Sequence, residues 1–269
     1  MLVIGENLNA SNKTVAAAIA ERNKDFVRNL VKAQDDAGAD YIDVNAGAAQ
    51  TDRKKAIADM EWLLDVVQES TDKPLALDSD DTEVLKAAVR RYRREDVIIN
   101  SVTAEKERLE AVAPLAAERK AWLVALAMGK GGIPKKVEER LSACDTIVTY
   151  LTGLGMKPEQ ILFDPLVLPV AVDTAQGVVT LRTLEGIKSR YAGVRTVMGL
   201  SNISFGLPVR KLVNRSFLLM AAYAGLDTVI LNPLDAKIMS AAKAADLLIG
   251  KDPFCRKYTT AHRKGVLVD

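Results

Sequence analysis

Short apolar runs alternate along this chain with longer stretches whose apolar residues recur every three or four positions. The short runs are Leu2–Ile4, Tyr41–Val44, Pro74–Leu77, Val97–Ile99, Trp122–Ala127, Ile161–Phe163, Arg195–Met198 and Thr228–Leu231. Runs of this length, bounded by polar and turn residues, predict buried strands. The stretches between them predict helices. Val15, Ile19, Phe26, Leu30 and Ala33 form an approximate stripe in a connection and helix across 11–38, which Gly38 stops. Ile57, Met60, Leu63, Leu64 and Val67 form a second stripe. Further helices are expected over 82–92, 105–119, 137–154, most of 171–191, 209–223 and 236–249, with a polar tail from about 251.

Strand and helix alternate in eight units of roughly 30 residues each. That alternation predicts a parallel sheet covered by helices. Eight units in one chain of this length fit a closed (β/α)8 TIM barrel better than an open doubly wound sheet. No linker or low-complexity segment interrupts the series, so residues 1–269 read as one domain.

The strands end in polar residues. Glu6, Asn9, Asn45, Asp78, Asn100, Asp164, Asn202 and Asn232 stand at or just beyond the apolar runs. In a barrel of this kind the active site is built from those ends. Simple capping of the following helices is the alternative for any single position. It explains the set poorly, because Asn45, Asp78, Asn100 and Asp164 each follow an apolar run directly and Asn202 lies several residues before its helix. Carboxylates accept N–H bonds, and carboxamides both donate and accept. Together they suit a neutral, flat heterocycle rich in N–H donors and ring acceptors. The loop Met128–Pro134, with Lys130, Gly131 and Gly132, reads as a rim or lid loop, or else as an anion site.

Composition narrows the chemistry. Hydrophobic residues make up 49% of the chain but aromatics only 5%, so Ala, Val, Leu and Ile must supply the core and few rings are available to stack on sugars. That weighs against a glycosidase pair among the carboxylates. The net charge of +2, from 37 basic and 35 acidic residues, gives no support for a nucleic-acid or membrane surface. The basic run Arg90–Arg94 closes a predicted helix, where cations are favoured. Cys144 and Cys255 stand far apart with no companion at metal-ligand spacing, and His262 is the only histidine. Neither a zinc site nor Ser-His or Cys-His catalysis is suggested, and free thiols fit a reducing cytoplasm. The N-terminus does not read as a signal peptide.

The segments Gly5–Asn9, Tyr41–Gly47, Leu77–Ser79, Ile99–Ser101, Phe163–Leu166 and Gly199–Ser204 occur in the order found in a known family. The chain resembles the methyltetrahydrofolate:corrinoid methyltransferases, pterin-binding barrels related to the folate module of cobalamin-dependent methionine synthase. The resemblance runs to about Gly250. It implies tetrahydrofolate or its 5-methyl form as one substrate, and cobalamin carried by a separate corrinoid protein as the other, with no metal bound by this chain. By resemblance, Asp78, Asn100 and Asp164 hydrogen-bond the pterin and Asn202 contacts N5, the atom that carries the methyl group. Ser201 and Gly199 shape the same wall, and Arg210 and Asn214 match positions just beyond it. Phe205 stands where a polar residue is common in the family. A homodimer is also implied. The competing expectations are a dihydropteroate synthase, whose Ser-Arg-Lys segment is missing here at Ser201-Asn202-Ile203, and a folate-binding protein without activity.

Overall fold

The computed structural model describes residues 1–47 and 52–268. Its strands are β1 (Leu2–Gly5), β2 (Tyr41–Val44), β3 (Leu75–Asp78), β4 (Val97–Val102), β5 (Trp122–Leu126), β6 (Ile161–Asp164), β7 (Arg195–Gly199) and β8 (Thr228–Leu231). They pair in sequence order, all parallel, and β8 returns to β1 to close the barrel. The helices are α1 (Lys13–Ala20), α2 (Lys24–Asp36), α3 (Arg53–Ser70), α4 (Thr82–Arg91), α5 (Lys106–Arg119), α6 (Val137–Gly153), α7 (Gln176–Arg190), α8 (Arg210–Tyr223), α9 (Ala236–Leu248) and α10 (Arg256–Arg263). The closed (β/α)8 barrel expected from the alternation is the fold.

The period of two along each strand divides the core. Ile4, Ala76, Ile98, Val124, Leu162 and Val197 pack together inside the barrel, with Tyr41, Trp122, Leu126 and Ile230 against them. The alternate residues, such as Ile42, Val44, Leu75, Leu77, Ile99, Leu123 and Phe163, join the larger core beneath the helices. Both faces of a parallel barrel are buried, and this is why these strands read as apolar runs. Aromatic packing marks the N-terminal end of the barrel, where Tyr41 lies 5.9 Å from Trp122 and the Arg195 guanidinium stacks 4.2 Å from the Trp122 ring.

Several expected boundaries move. The 11–38 segment is two helices, because the chain turns sharply between Glu21 and Asn23 with Arg22 at φ 55°. β4 runs on to Val102 through a register shift, whereas β5 stops at Leu126 and not at Ala127. Helix α7 begins only at Gln176. The C-terminal segment is not merely a polar tail. It contains α10, whose first turn is held by Asp252 accepting from the amides of Lys257 and Tyr258 at 2.9 Å each. Ala261 is buried, and the Val268 amide donates to Ser240 on α9, so the segment folds back on the barrel wall.

The basic run at the end of α4 is a clamp between helices. Arg91 and Arg93 both reach Asp65 on α3, and Arg94 donates to the carbonyls of Gln68, Thr71 and Lys73 just beyond it. Cys144 is buried and Cys255 exposed, and both are free. No helix among the described residues is long and apolar enough to cross a membrane.

Candidate active site

The site follows from the same period of two that builds the barrel core. Two positions beyond inward-facing Ile4, Ala76, Ile98, Leu162, Val197 and Ile230 stand Glu6, Asp78, Asn100, Asp164, Gly199 and Asn232. On β2 the inward series runs Tyr41, Asp43, Asn45. Side chains two apart on a strand share a face, so the apolar plug is followed directly by a polar layer. β5 alone keeps an apolar residue there, Leu126.

Helix capping does not account for this ring. The side chains that cap helix N-termini are Asn12, Asn23, Asp52, Asp81 and Asp235, none of them in the ring. Four ring members instead fold their own loops. Asn9, Asn45, Asp164 and Asn232 each accept, through Oδ1, the amide two residues on, at 2.8 to 2.9 Å. Asn9 and Asn232 make no further side-chain bond among the described residues. Asn45 uses its other end as well: Nδ2 donates to Asp78 Oδ2 at 2.8 Å. The backbones of Asn9 and Asn45 are bridged in parallel, which carries the sheet one step past β1 and β2.

The chain after β7 forms a single 3-10 turn, Leu200–Ser204, that the apolar pattern did not reveal. Ser201 Oγ donates to Glu6 Oε1 at 2.8 Å. Asn202 is exposed, and its amide lies over Gly199, where a Cβ would meet Nδ2 at 3.4 Å. Arg210 binds this turn from outside, Nη2 to Ser201 O at 2.8 Å and Nε to Ser204 Oγ at 3.1 Å. Its guanidinium also faces the exposed Phe205 ring at 5.8 Å. Arg210 is thus committed to the turn. Asn214 Oδ1 is buried without a partner among the described residues.

Neither Asn100 nor Asn202 makes a side-chain hydrogen bond to the described residues, so their amides stay unspent, as does Asp164 Oδ2. The acids are all displaced upward in pKa, burial being the largest cause in each case. Asp164 is pushed up to about 7, opposed by the Leu166 amide and the Arg140 charge. Glu6 is raised despite Ser201 and Arg210. Asp78 is raised despite the Asn45 amide and Arg108, with Asp80 adding to the rise. A cluster of upward-shifted carboxyls at the mouth of a barrel marks a candidate functional site.

Three side chains in or around the site escaped the sequence reading. Asp43 is buried among the strand ends. Arg140, on α6, is fully buried and donates to the carbonyls of Pro134, Pro165 and Leu166 and to Gln176 Oε1. It ties the loop after β5 to the loop carrying Asp164. Leu166 in that loop sits at φ 67°, a left-handed conformation unusual for leucine. Arg108 does similar work elsewhere, binding the carbonyls of Ser79, Asp80 and Ser101. Only Asp43 had a visible signal: a charged residue within the apolar run Tyr41–Val44.

The loop after β5 borders a groove of about 630 Å³ lined by Lys130, Lys135 and Lys136. A cavity of about 640 Å³ opens at the opposite end of the barrel, but its acids are engaged: Asp40 with the Val3 amide and Asp227 with Lys188 and Lys251. No group of three or more metal-ligating side chains occurs among the described residues.

A closed barrel with amides and upward-shifted acids at its strand ends presents donors and acceptors of the kind a polar heterocycle needs. This chain belongs to the pterin binding enzymes, whose family pattern it matches over residues 5–232. It is 36% identical over 267 residues to the methylcorrinoid:tetrahydrofolate methyltransferase of Eubacterium limosum, covering 98% of this chain and 97% of that one. It is 30% identical to the methionine synthase of Mycobacterium tuberculosis over 86% of this chain, which amounts to 20% of that much longer protein. Among solved structures, dihydropteroate synthase of Coxiella burnetii superposes with TM-score 0.69 at 13% identity, covering 93% of this chain and 94% of that one. The dihydropteroate synthase of Clostridium difficile gives TM-score 0.69 at 19% identity over 92% of this chain and 96% of that one. At those identities the likeness is one of fold.

Proposed function

We propose that this chain moves a methyl group between a corrinoid protein and N5 of tetrahydrofolate. The observation that carries the reading is the combination of unspent amides on Asn100 and Asn202 with the half-buried, upward-shifted acids Asp78 and Asp164, in a chain so similar along its whole length to a methylcorrinoid:tetrahydrofolate methyltransferase. Asp78, Asn100 and Asp164 hydrogen-bond the pterin. Glu6, Asn9 and Asn45 build the wall around them, and Gly199 and Ser201 set the position of Asn202 against N5.

Methyl transfer to or from N5 is an in-line displacement. N5 gains the methyl and loses its proton in one direction, and takes up a proton as the methyl leaves in the other. Cobalt on the partner protein is the other end of the exchange. No side chain has to become covalently attached, so this chain's residues orient and stabilise. The Asn202 carboxamide accepts from N5–H or donates to the N5 lone pair, and so serves both directions without changing its own charge.

The partner must approach from the strand-end face. Exposed Phe205 and the lysine-bearing loop after β5 support docking there. Self-association is supported by α8, whose outer face exposes Leu212, Leu219, Met220 and Tyr223 at helical spacing. Two free thiols fit a cytoplasmic setting.

The test is spectroscopic: methylcobalamin with tetrahydrofolate, and Co(I)alamin with methyltetrahydrofolate, each mixed with the protein. Conversion of the cobalamin spectrum in either mixture is expected. Folate binding with no conversion in both mixtures would leave a binding protein instead of a transferase. Sedimentation giving a monomer mass would remove the dimer.

A further inference from the structure

Asp43 is the third residue of β2, facing into the barrel between Glu6 and Asp78. Its register fixes this place. Ile42 pairs with Gly5 of β1, which sets Asp43 beside Glu6, and Asp43 itself pairs with Ala76 of β3, two residues before Asp78. Asn45, two residues further along the same face, is the residue that donates to Asp78. Asp43 is 2% exposed, and its Oδ1 has no hydrogen-bond partner among the described residues.

Burying an ionised carboxylate without a donor is far more costly than burying its neutral form. The neighbours deepen the problem. From β1 comes Glu6 and from β3 comes Asp78, both acids. The cations nearby serve other groups: Arg108 acts on Asp78 and Arg210 on Glu6. Glu6 has the Ser201 hydroxyl as donor and Asp78 has the Asn45 amide. Of the three acids, only Asp43 has neither donor nor cation among the described residues.

We propose that Asp43 is a positioning residue that holds one proton for this cluster, so that Asp78 and Glu6 meet a ligand as anions. Carboxyls on three adjacent strands raise one another's cost of ionising, and the proton goes to the member least able to carry charge. Burial first, then Asp78 and Glu6, push the Asp43 carboxyl well above the ordinary range. In the neutral form it carries an O–H donor in place of a charge. Asp43 touches neither ligand nor reacting atom; it acts through Asp78. The part played by Asp78 rests on the pterin reading, whereas the protonation of Asp43 does not.

The test uses Asp43→Asn, a neutral isostere that keeps a donor, with Asp43→Ser as a second variant. A group whose folded pKa lies above its unfolded value stabilises at low pH, and that stability is lost as pH rises through the folded pKa. Asp43→Asn should therefore raise the melting temperature at about pH 8.5 and change it little only at about pH 4, near the ordinary carboxyl range of an unfolded Asp. Tetrahydrofolate affinity should stay within about threefold of the parent at pH 7, because the donor is retained. Carbon-13 NMR of labelled aspartate carboxyls, assigned by the resonance missing from either variant, should show Asp43 still protonated at neutral pH. Equal destabilisation at both pH values, or an Asp43 resonance already ionised at about pH 6, overturns the proposal. The melting and NMR readouts need no folate, so failure of the methyltransferase reading would leave them unaffected.

Discussion

Ser201 Oγ and Glu6 Oε1 meet at 2.8 Å although 195 residues separate them. The bond joins the turn after β7 to the end of β1 and passes across β8, the strand between them in the closed barrel. On the outer side the same turn is held by Arg210 through Ser201 O and Ser204 Oγ. Asn202 lies between these two anchors. The backbone that carries this exposed amide is thereby held from both sides, the kind of support a preorganised group needs.

Arg210, which by resemblance matches a position beside the pterin wall, braces this turn. Arg210→Lys should then lower single-turnover methyl transfer by about tenfold or more, because an ammonium cannot span two acceptors as the guanidinium fork does. Folate affinity should change less. The reverse pattern, lost affinity with the saturated rate intact, would show that Arg210 binds ligand.

The barrel and much of its rim were legible because one rule governs both. A parallel strand buried on both faces reads as an apolar run, and the first polar residue on its inward face lies at the mouth. Ile4 to Glu6, Ala76 to Asp78 and Leu162 to Asp164 all obey it. The rest depended on contacts that leave no local trace. Arg140 looks like any charged residue on a helix, and its role comes from carbonyls 25 and 26 residues away. The 3-10 turn at Asn202 has no periodicity to detect. Helix α10 buries Ala261 but is otherwise largely exposed, so its composition resembled a tail.

Asp164 gives the site a pH dependence of known sign. Burial raises its carboxyl to about 7, and under the proposed function the ionised form is the one that would accept pterin N–H groups. Below that pH, binding must first expel a proton, so folate affinity should fall by up to about tenfold per pH unit. The fold shows the opposite trend, since a raised folded pKa means stability is lost as pH rises through about 7. In Asp164→Asn the affinity should be weaker at pH 8 and nearly flat with pH, with a higher melting temperature there. Calorimetry in which the variant keeps the parent's pH slope would assign the dependence to another group.

Arg140 carries a stability prediction. It is buried and donates to three carbonyls and one amide oxygen. Arg140→Met would leave those acceptors unsatisfied, at a cost on the order of 3 kcal/mol or more. Asp164 would also lose its neighbouring positive charge, so its carboxyl should rise further and folate binding at neutral pH should weaken. Chemical denaturation checks the first effect. A loss below about 1 kcal/mol would mean that water replaces the guanidinium and that the two loops do not depend on it.

Asn202 bears the most direct test of mechanism. It is exposed and makes no side-chain bond that the fold needs, so Asn202→Ala should leave the melting temperature within about 2 °C of the parent. If the amide acts on N5, its contribution is largest as charge on N5 changes during transfer. Removing one preorganised hydrogen bond at such a centre costs about 10²–10³ in rate. Tetrahydrofolate binding, which rests on several other groups, should weaken far less. Single-turnover methyl transfer at saturating folate, beside calorimetry and a thermal melt, separates the three quantities. A variant that transfers methyl at the parental rate would take Asn202 out of the reaction and return N5 to solvent or to the partner protein.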